Sequence, residues 1–291
     1  MKTLFLTALA PMLWGTTYLV TTEFLPPNQP FLAAVLRALP VGLLITLAYR
    51  TLPKGHWWWR VLMLGTLNIG LFFALLFVAA YRLPGGMVAT IGALQPLLVI
   101  LLSKYALRES IPSLAIGAGL LGVLGVALLV FQPYGQLDLI GIGATVASAL
   151  SMASGIVLTK RWGSPVDLLP FTAWQLTAGG IILLPIMFLV EPALPTFSLT
   201  NFLGFVWLGF VGTGLAYWLW FRGIKMLRPF QISFLGLFSP VVAVILGYVF
   251  LDQGFALRQW FGIGLILTSI VVAQYAQHAL QNIRKPCLHC P

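Results

Sequence analysis

The sequence predicts an all-α polytopic membrane protein with ten transmembrane helices arranged as two inverted five-helix repeats. Three observations carry that expectation. Charged residues make up 8% of the 291 positions and hydrophobic residues 60%, against about 25% charged in an ordinary soluble domain; the mean hydropathy is +0.99. So little polar side chain cannot clothe a water-soluble globule of this size. A soluble enzyme, a disordered chain and a secreted disulfide scaffold are excluded together. The other two observations are a series of apolar stretches of spanning length and the segregation of the basic residues between them.

A spanning helix needs about 20 mostly apolar residues. That ruler marks ten spans, expected near Leu4–Thr22, Phe31–Tyr49, Val61–Tyr81, Gly86–Tyr105, Ser113–Phe131, Leu139–Thr159, Leu168–Val190, Phe202–Phe221, Phe230–Leu251 and Leu257–Gln277. Turn chemistry or charge separates them: Pro26-Pro27-Asn28, Pro53-Lys54-Gly55, Pro84-Gly85, Gln132-Pro133-Tyr134-Gly135, Gly163-Ser164-Pro165, Pro192 with Pro195, and Arg228-Pro229. No separator has room for a soluble domain. Lys2 and the Ala8-Leu9-Ala10 end of the first apolar run resemble a leader. Pro11 would then follow the cut and the run continues to Val20, so this segment is expected to be the first span.

With the N-terminus in the cytoplasm, thirteen basic residues fall on inner segments: Lys2; Arg50, Lys54, Arg60; Lys104, Arg108; Lys160, Arg161; Arg222, Lys225, Arg228; Arg284, Lys285. Only Arg82 and Arg258 fall outside, and Arg37 lies within a span. The asymmetry places both termini in the cytoplasm of a cell (inner) membrane protein. Trp57, Trp58 and Trp59 beside Arg60 form an interfacial aromatic belt at the inner boundary.

The two sets of five spans align with one another. Leu83–Glu109 overlays Leu227–Gln253, so that Pro96 meets Pro240 and Gln95 meets Ser239; Gly117 and Gly119 meet Gly262 and Gly264. Pro11, Trp14 and Thr17 meet Ser148, Ser151 and Ser154, and Arg37 meets Gln175. The expected units are residues 1–135, residues 136–280, and a short cytoplasmic tail, residues 281–291. Five is odd, so the halves enter the membrane from opposite sides, as in alternating-access transporters whose substrate sits near the midplane between repeats. Pro96 and Pro240 each remove a backbone hydrogen bond in mid-span; they point to helix breaks at that site, with Pro11 a third candidate, or to packing kinks.

Ala-Pro-Met-Leu-Trp-Gly-Thr-Thr-Tyr at 10–18, Leu-Arg-Ala at 36–38, and Leu-Gln-Pro at 94–96 followed by Leu107-Arg108-Glu109 resemble the EamA branch of the drug/metabolite transporter (DMT) superfamily, and within it the PecM-like exporters. The resemblance covers nearly the whole chain. It implies efflux of a pigment or other metabolite. The second half departs from the pattern, with Asp252-Gln253 where a Glu is expected after the ninth span.

Polar and aromatic residues within spans are the substrate candidates, because a polar group facing lipid is costly. They are Trp14, Thr17 and Tyr18 on the first span, Arg37 on the second, Asn68 on the third, Gln95 on the fourth, Ser151 on the sixth, Gln175 on the seventh, Trp218 on the eighth and Ser239 on the ninth. Thr21, Ser148, Ser154, Trp174 and Tyr217 share those segments. Such groups suit a flat, partly apolar organic molecule. Ser and Thr also bond their own helix carbonyls, and Trp and Tyr also anchor at interfaces. Arg37 either meets an anionic group, pairs across the bundle, or snorkels outward.

The expected function is a secondary transporter exporting a small organic metabolite, with no cofactor and no metal. A membrane sensor or regulator without transport is an alternative. An intramembrane enzyme is another, and it lacks a His-Glu-x-x-His motif and any Asp in mid-span. The dispersed basic residues fit loop charges rather than a nucleic-acid surface. Cys287, His289 and Cys290 offer at most three ligands on the tail and are expected to be incidental. Partners are the small-molecule substrate and membrane lipid. The Gly117, Gly119, Gly122, Gly125 face of the fifth span serves packing within a monomer or a homodimer contact.

Overall fold

In the computed structural model the described residues are 2–80, 82–83, 85–130, 138–191, 195–251, 254 and 256–283. The separators at Pro84, Gln132–Gly135 and Pro192, the pair Asp252-Gln253, and the tail with Arg284, Lys285, Cys287, His289 and Cys290 lie outside them.

Ten helices are long and apolar enough to cross a membrane. We label them α1 (Lys2–Phe24), α2 (Pro30–Tyr49), α3 (Trp57–Ala80), α4 (Gly85–Gly92 and Gln95–Ala106), α5 (Ser113–Val130), α6 (Leu139–Trp162), α7 (Leu168–Val190), α8 (Leu199–Met226), α9 (Pro229–Leu235 and Phe238–Phe250) and α10 (Leu257–Ile283). With ten crossings, the two ends of the helical bundle lie on one face, called here the terminal face. The expected Leu168–Val190 is reproduced, while α3, α6 and α8 run further into the terminal-face segments that hold Arg60, Lys160, Arg161, Arg222 and Lys225. Long basic side chains let a helix continue past the apolar slab while the charge reaches water.

Local chemistry sets the starts. Asp138 accepts from the Gly141 N–H at the start of α6, and Ser198 and Asn201 form a reciprocal capping box at α8. Pro30 occupies the first turn of α2, where its missing N–H costs nothing. Pro11 sits inside an α1 that runs on without a break.

Two pairs of helices depart from regularity. α3 contains a π-helical segment at Thr66–Gly70, and α8 one at Trp207–Leu215. α4 is broken by a turn at Ala93 and Leu94, just before Pro96, and α9 by a turn at Gly236 and Leu237, just before Pro240. At the α9 break the chain tightens: the Leu237 N–H reaches Phe234 O at 3.1 Å and the Ser239 N–H reaches Gly236 O at 3.1 Å. The Gly236 carbonyl that Pro240 cannot serve is thereby satisfied.

Packing pairs α2 with α7 and α5 with α10; α1 lies against α8 and α9, and α6 against α3 and α4; α7 meets the π segment of α3, and α2 that of α8. These pairings are unchanged when each of α1–α5 is exchanged with the helix five places on. A larger buried cluster gathers residues of α1, α2, α3, α6, α7 and α8, with Val99 of α4 and Ile232 of α9, and a second gathers α1, α4, α5, α9 and α10. Close approach of α5 and α10 depends on glycine: a Cβ on Gly262 would lie 2.7 Å from the Gly125 carbonyl oxygen. Gly119 and Gly122 also face neighbours inside the bundle, whereas Gly117 is open. The outer surface exposes Leu44, Leu47, Leu120, Leu124, Phe188, Phe202 and Phe261, an apolar coat suited to lipid and unsuited to water.

Candidate functional site

A cavity of about 500 Å³ lies where α1, α3, α4, α6, α8 and α9 meet, with Arg37 of α2 and Val126 of α5 also on its wall, within the size range of small-molecule sites. Counted along the helices, α1, α3, α4 and α6 contribute residues from their halves away from the terminal face, among them Tyr18, Phe77, Ala80, Val88, Thr145 and Ser148. Tyr217 and Trp220 of α8, with Ser233 and Leu237 of α9, come from nearer the terminal face.

Three aromatic rings meet in the cavity wall. The Trp14 ring centroid is 5.2 Å from that of Tyr217 and 5.0 Å from that of Trp220. Both angles are tilted, as ring quadrupoles favour. The Tyr217 hydroxyl donates to Asn68 O at 3.1 Å. Trp220 is 1% exposed and its indole N–H has no acceptor.

Arg37 lines the same cavity and is 6% exposed. Its Nε donates to Thr213 Oγ1 at 2.8 Å and its Nη2 to Gly212 O at 3.1 Å, both in the π segment of α8. Its guanidinium carbon lies 5.1 Å from the centroid of the Phe73 ring, cation–π distance. No carboxylate accompanies it: among the described residues the ion pair is Arg82–Asp138, at 3.1 Å, on the face opposite the termini.

The π segment of α3 is stitched to neighbouring helices in a matching way. Ser151 donates to Leu67 O, within the segment, at 2.9 Å, and Ser148 to Phe72 O, just beyond it, at 2.9 Å. A widened turn changes the backbone register and leaves carbonyls to be met by side chains, since lipid meets none. Asn68 inside that segment is fully buried and donates to Gln175 Oε1 at 2.8 Å and Thr159 Oγ1 at 3.3 Å. A Cβ on Gly155 would overlap the Asn68 amide. α6 therefore needs glycine there.

The structure brings together Trp14, Thr17, Tyr18, Arg37, Gln95 and Ser239, with Pro96 and Pro240, around one cavity. It places Asn68, Ser151 and Gln175 in interhelical hydrogen bonds beside it. Trp218 packs half-buried against the main core cluster, and Pro11 is buried in α1. Phe72, Phe73 and Trp220 are lining residues that the sequence reading did not select. No local signal separates Trp220 from Trp218, because the π-helical turn at Trp207–Leu215 shifts the α-helical face that follows it.

The terminal-face side of the bundle is tied by charge. Lys160 of α6 donates from Nζ to Leu227 O at 2.7 Å and Lys225 O at 3.0 Å at the end of α8. Glu109, after α4, is half-buried with one carboxylate oxygen unpartnered. Burial pushes its pKa up, and the nearby charges of Arg228 and Lys160 oppose that.

Comparison with known proteins agrees with this architecture. The model of the EamA-like transporter family matches residues 1–131 and 139–274. The chain is 46% identical over 267 residues to Protein PecM of Dickeya dadantii (strain 3937), covering 91% of this chain and 90% of that one. It is 23% identical over 289 residues to a probable amino-acid metabolite efflux pump of Escherichia coli (strain K12), covering 92% and 93%. A protein of known crystal structure superposes with a TM-score of 0.83 at 22% identity, covering 96% of this chain and 98% of that one, a likeness of fold. On the family match and the PecM likeness together, this ten-span chain belongs to the EamA-like transporter family of multi-pass membrane proteins, whose business is transport rather than catalysis.

Proposed function

We propose that the chain exports a small organic metabolite across the inner (cell) membrane by alternating access, with residues 1–135 and 136–280 as inverted repeats and both termini in the cytoplasm. One observation carries this reading. Trp14, Gln95 and Ser239, from both sets of five helices, line a single cavity of about 500 Å³ beside the broken helices α4 and α9. Irregular backbone at membrane depth is tolerated where it lines a cavity, and paired breaks in two halves mark transporter sites. The exchange symmetry of the helix pairings and the two matched stretches, 1–131 and 139–274, support the repeat. Export rather than import is supported by the printed name of the Escherichia coli relative, and the cytoplasmic placement of the termini by the thirteen-to-two division of basic residues.

On this reading the cavity faces the periplasmic side. The contacts of Lys160 with Leu227 O and Lys225 O, and the Glu109 region, close the cytoplasmic side. Opening inward requires the end of α6 to part from the end of α8. The substrate is a flat, partly apolar molecule, the surrounding partner is lipid, and the working unit is a monomer or a homodimer.

The experiment is metabolite profiling of medium from cells with and without the gene, then uptake of the differing compounds into inverted vesicles. Saturable uptake with counterflow is expected. Flux that neither saturates nor shows counterflow overturns alternating access, and a C-terminal reporter active in the periplasm overturns the inverted repeat.

A further inference from the structure

We propose that the cavity takes an organic anion, an aromatic or aliphatic carboxylate, whose charge is met by Arg37. This rests on the transporter reading for its biological use, though not for its chemistry. A guanidinium carries five N–H donors. Two of Arg37's are occupied, by Thr213 Oγ1 and Gly212 O, and both acceptors are neutral. The Phe73 ring partly shields the charge. A buried cation without a counter-charge is costly, and such charges are ordinarily paired. No described acid is available to pair it. Glu23 is exposed at the end of α1, Glu109 and Asp167 lie on the terminal-face side, Asp138 pairs with Arg82, and Glu191 is held by the backbone of α2.

The other polar groups of the cavity point the same way. The indole N–H of Trp220 is a donor with no acceptor, and the Thr17 hydroxyl has no partner either. The Gln95 side chain lines the cavity from the break in α4. A site that holds one cation and, among its described lining residues, no carboxylate discriminates for a ligand that brings negative charge, and against an ammonium. Trp14, Phe72 and Phe77 then face the apolar body of the ligand.

The test uses detergent-purified full-length protein and three probes with one body: 3-phenylpropionate, 3-phenylpropionamide and 3-phenylpropylammonium. Binding is measured by calorimetry. The carboxylate should bind about tenfold or more tighter than the amide, as expected for hydrogen bonds to a charged group, and the ammonium most weakly. Arg37→Gln should bring the carboxylate to the level of the amide, and Arg37→Lys should retain part of the preference. The wild-type ranking is itself decisive should Arg37→Gln not fold. Amide or ammonium binding as tight as the carboxylate, no binding of any probe, or a preference that survives in folded Arg37→Gln overturns the proposal. Counterflow of the same probes in proteoliposomes separates it from the transporter reading. A carboxylate preference in binding without saturable flux sinks transport and leaves the anion site standing. Saturable flux without charge preference does the reverse.

Discussion

Glu191, at the end of α7, accepts the backbone N–H of Phe31 at the start of α2 at 2.7 Å, 160 residues away in the chain. Its second oxygen takes the N–H of Leu32 at 2.8 Å. Gln29, at the N-cap of α2, makes no side-chain cap bond, so a carboxylate from another helix does the capping. Its charge also meets the positive end of the helix dipole. The carboxylate is buried, and both oxygens are engaged with unpaired helix donors.

Replacing Glu191 with Ala should therefore destabilise the protein by about 1–3 kcal/mol, the cost of leaving buried donors unmet. Thermal melts of detergent-purified protein measure this. Glu191→Gln, which keeps one acceptor and loses the charge, should fall between. A melting temperature unchanged in both variants would show that water can replace the cap.

Trp14→Ala removes the ring that meets both Tyr217 and Trp220, and Gln95→Ala removes an amide at the α4 break. Each should weaken substrate binding by about 1–3 kcal/mol while leaving membrane abundance near normal. Vesicle uptake against substrate concentration reads this out. Normal transport by both variants would mean that the substrate does not use this cavity.

Asn68→Leu should behave differently. It strips Gln175 of its partner in a fully buried place and removes the donor to Thr159. A loss of about 1–3 kcal/mol in stability is expected, with the KM of the surviving folded protein little changed. Gly155→Ala, which overlaps the same amide, should mimic it. A raised KM with an unchanged melt would instead assign Asn68 to the substrate.

Proton coupling commonly uses a carboxylate at mid-depth. The described acids lie at helix ends, and among them Glu23 alone stands exposed on the side to which the cavity extends without a bond in the structure. Facilitated diffusion or exchange is expected, or coupling through Glu23. An imposed pH gradient in proteoliposomes, without a substrate gradient, gives the reading. Uphill accumulation that persists in Glu23→Gln would identify a proton carrier elsewhere.

Glu109 supplies a pH dependence with a definite sign. Burial raises its pKa above the ordinary 4.5. The folded state then favours the protonated acid. Its contribution to stability is fully present below about 4.5 and is lost as pH rises through the raised value, after which it is flat. Melts across this window should decline for wild type more steeply than for Glu109→Gln. Parallel curves would mean that Arg228 and Lys160 offset the burial completely.

Number and order of helices were legible in the sequence, because spanning is a matter of length and transfer energy summed along one window. Pro96 and Pro240 marked the two breaks, since a missing N–H acts locally. Gln95, Ser239, Trp14 and Arg37 were found because polar or amphipathic groups in a span must turn away from lipid. Only the tertiary structure separated Gln95, in the cavity, from Asn68 and Gln175, bonded to each other, and set Trp220 rather than Trp218 on the lining. In a membrane the core and the lipid-facing surface are equally apolar, so a helix carries little record of which face points inward. The π segments at Thr66–Gly70 and Trp207–Leu215 rotate that face again. They persist because Ser151, Tyr217 and Arg37 arrive from other helices to meet their carbonyls, a condition that no local stretch of sequence contains.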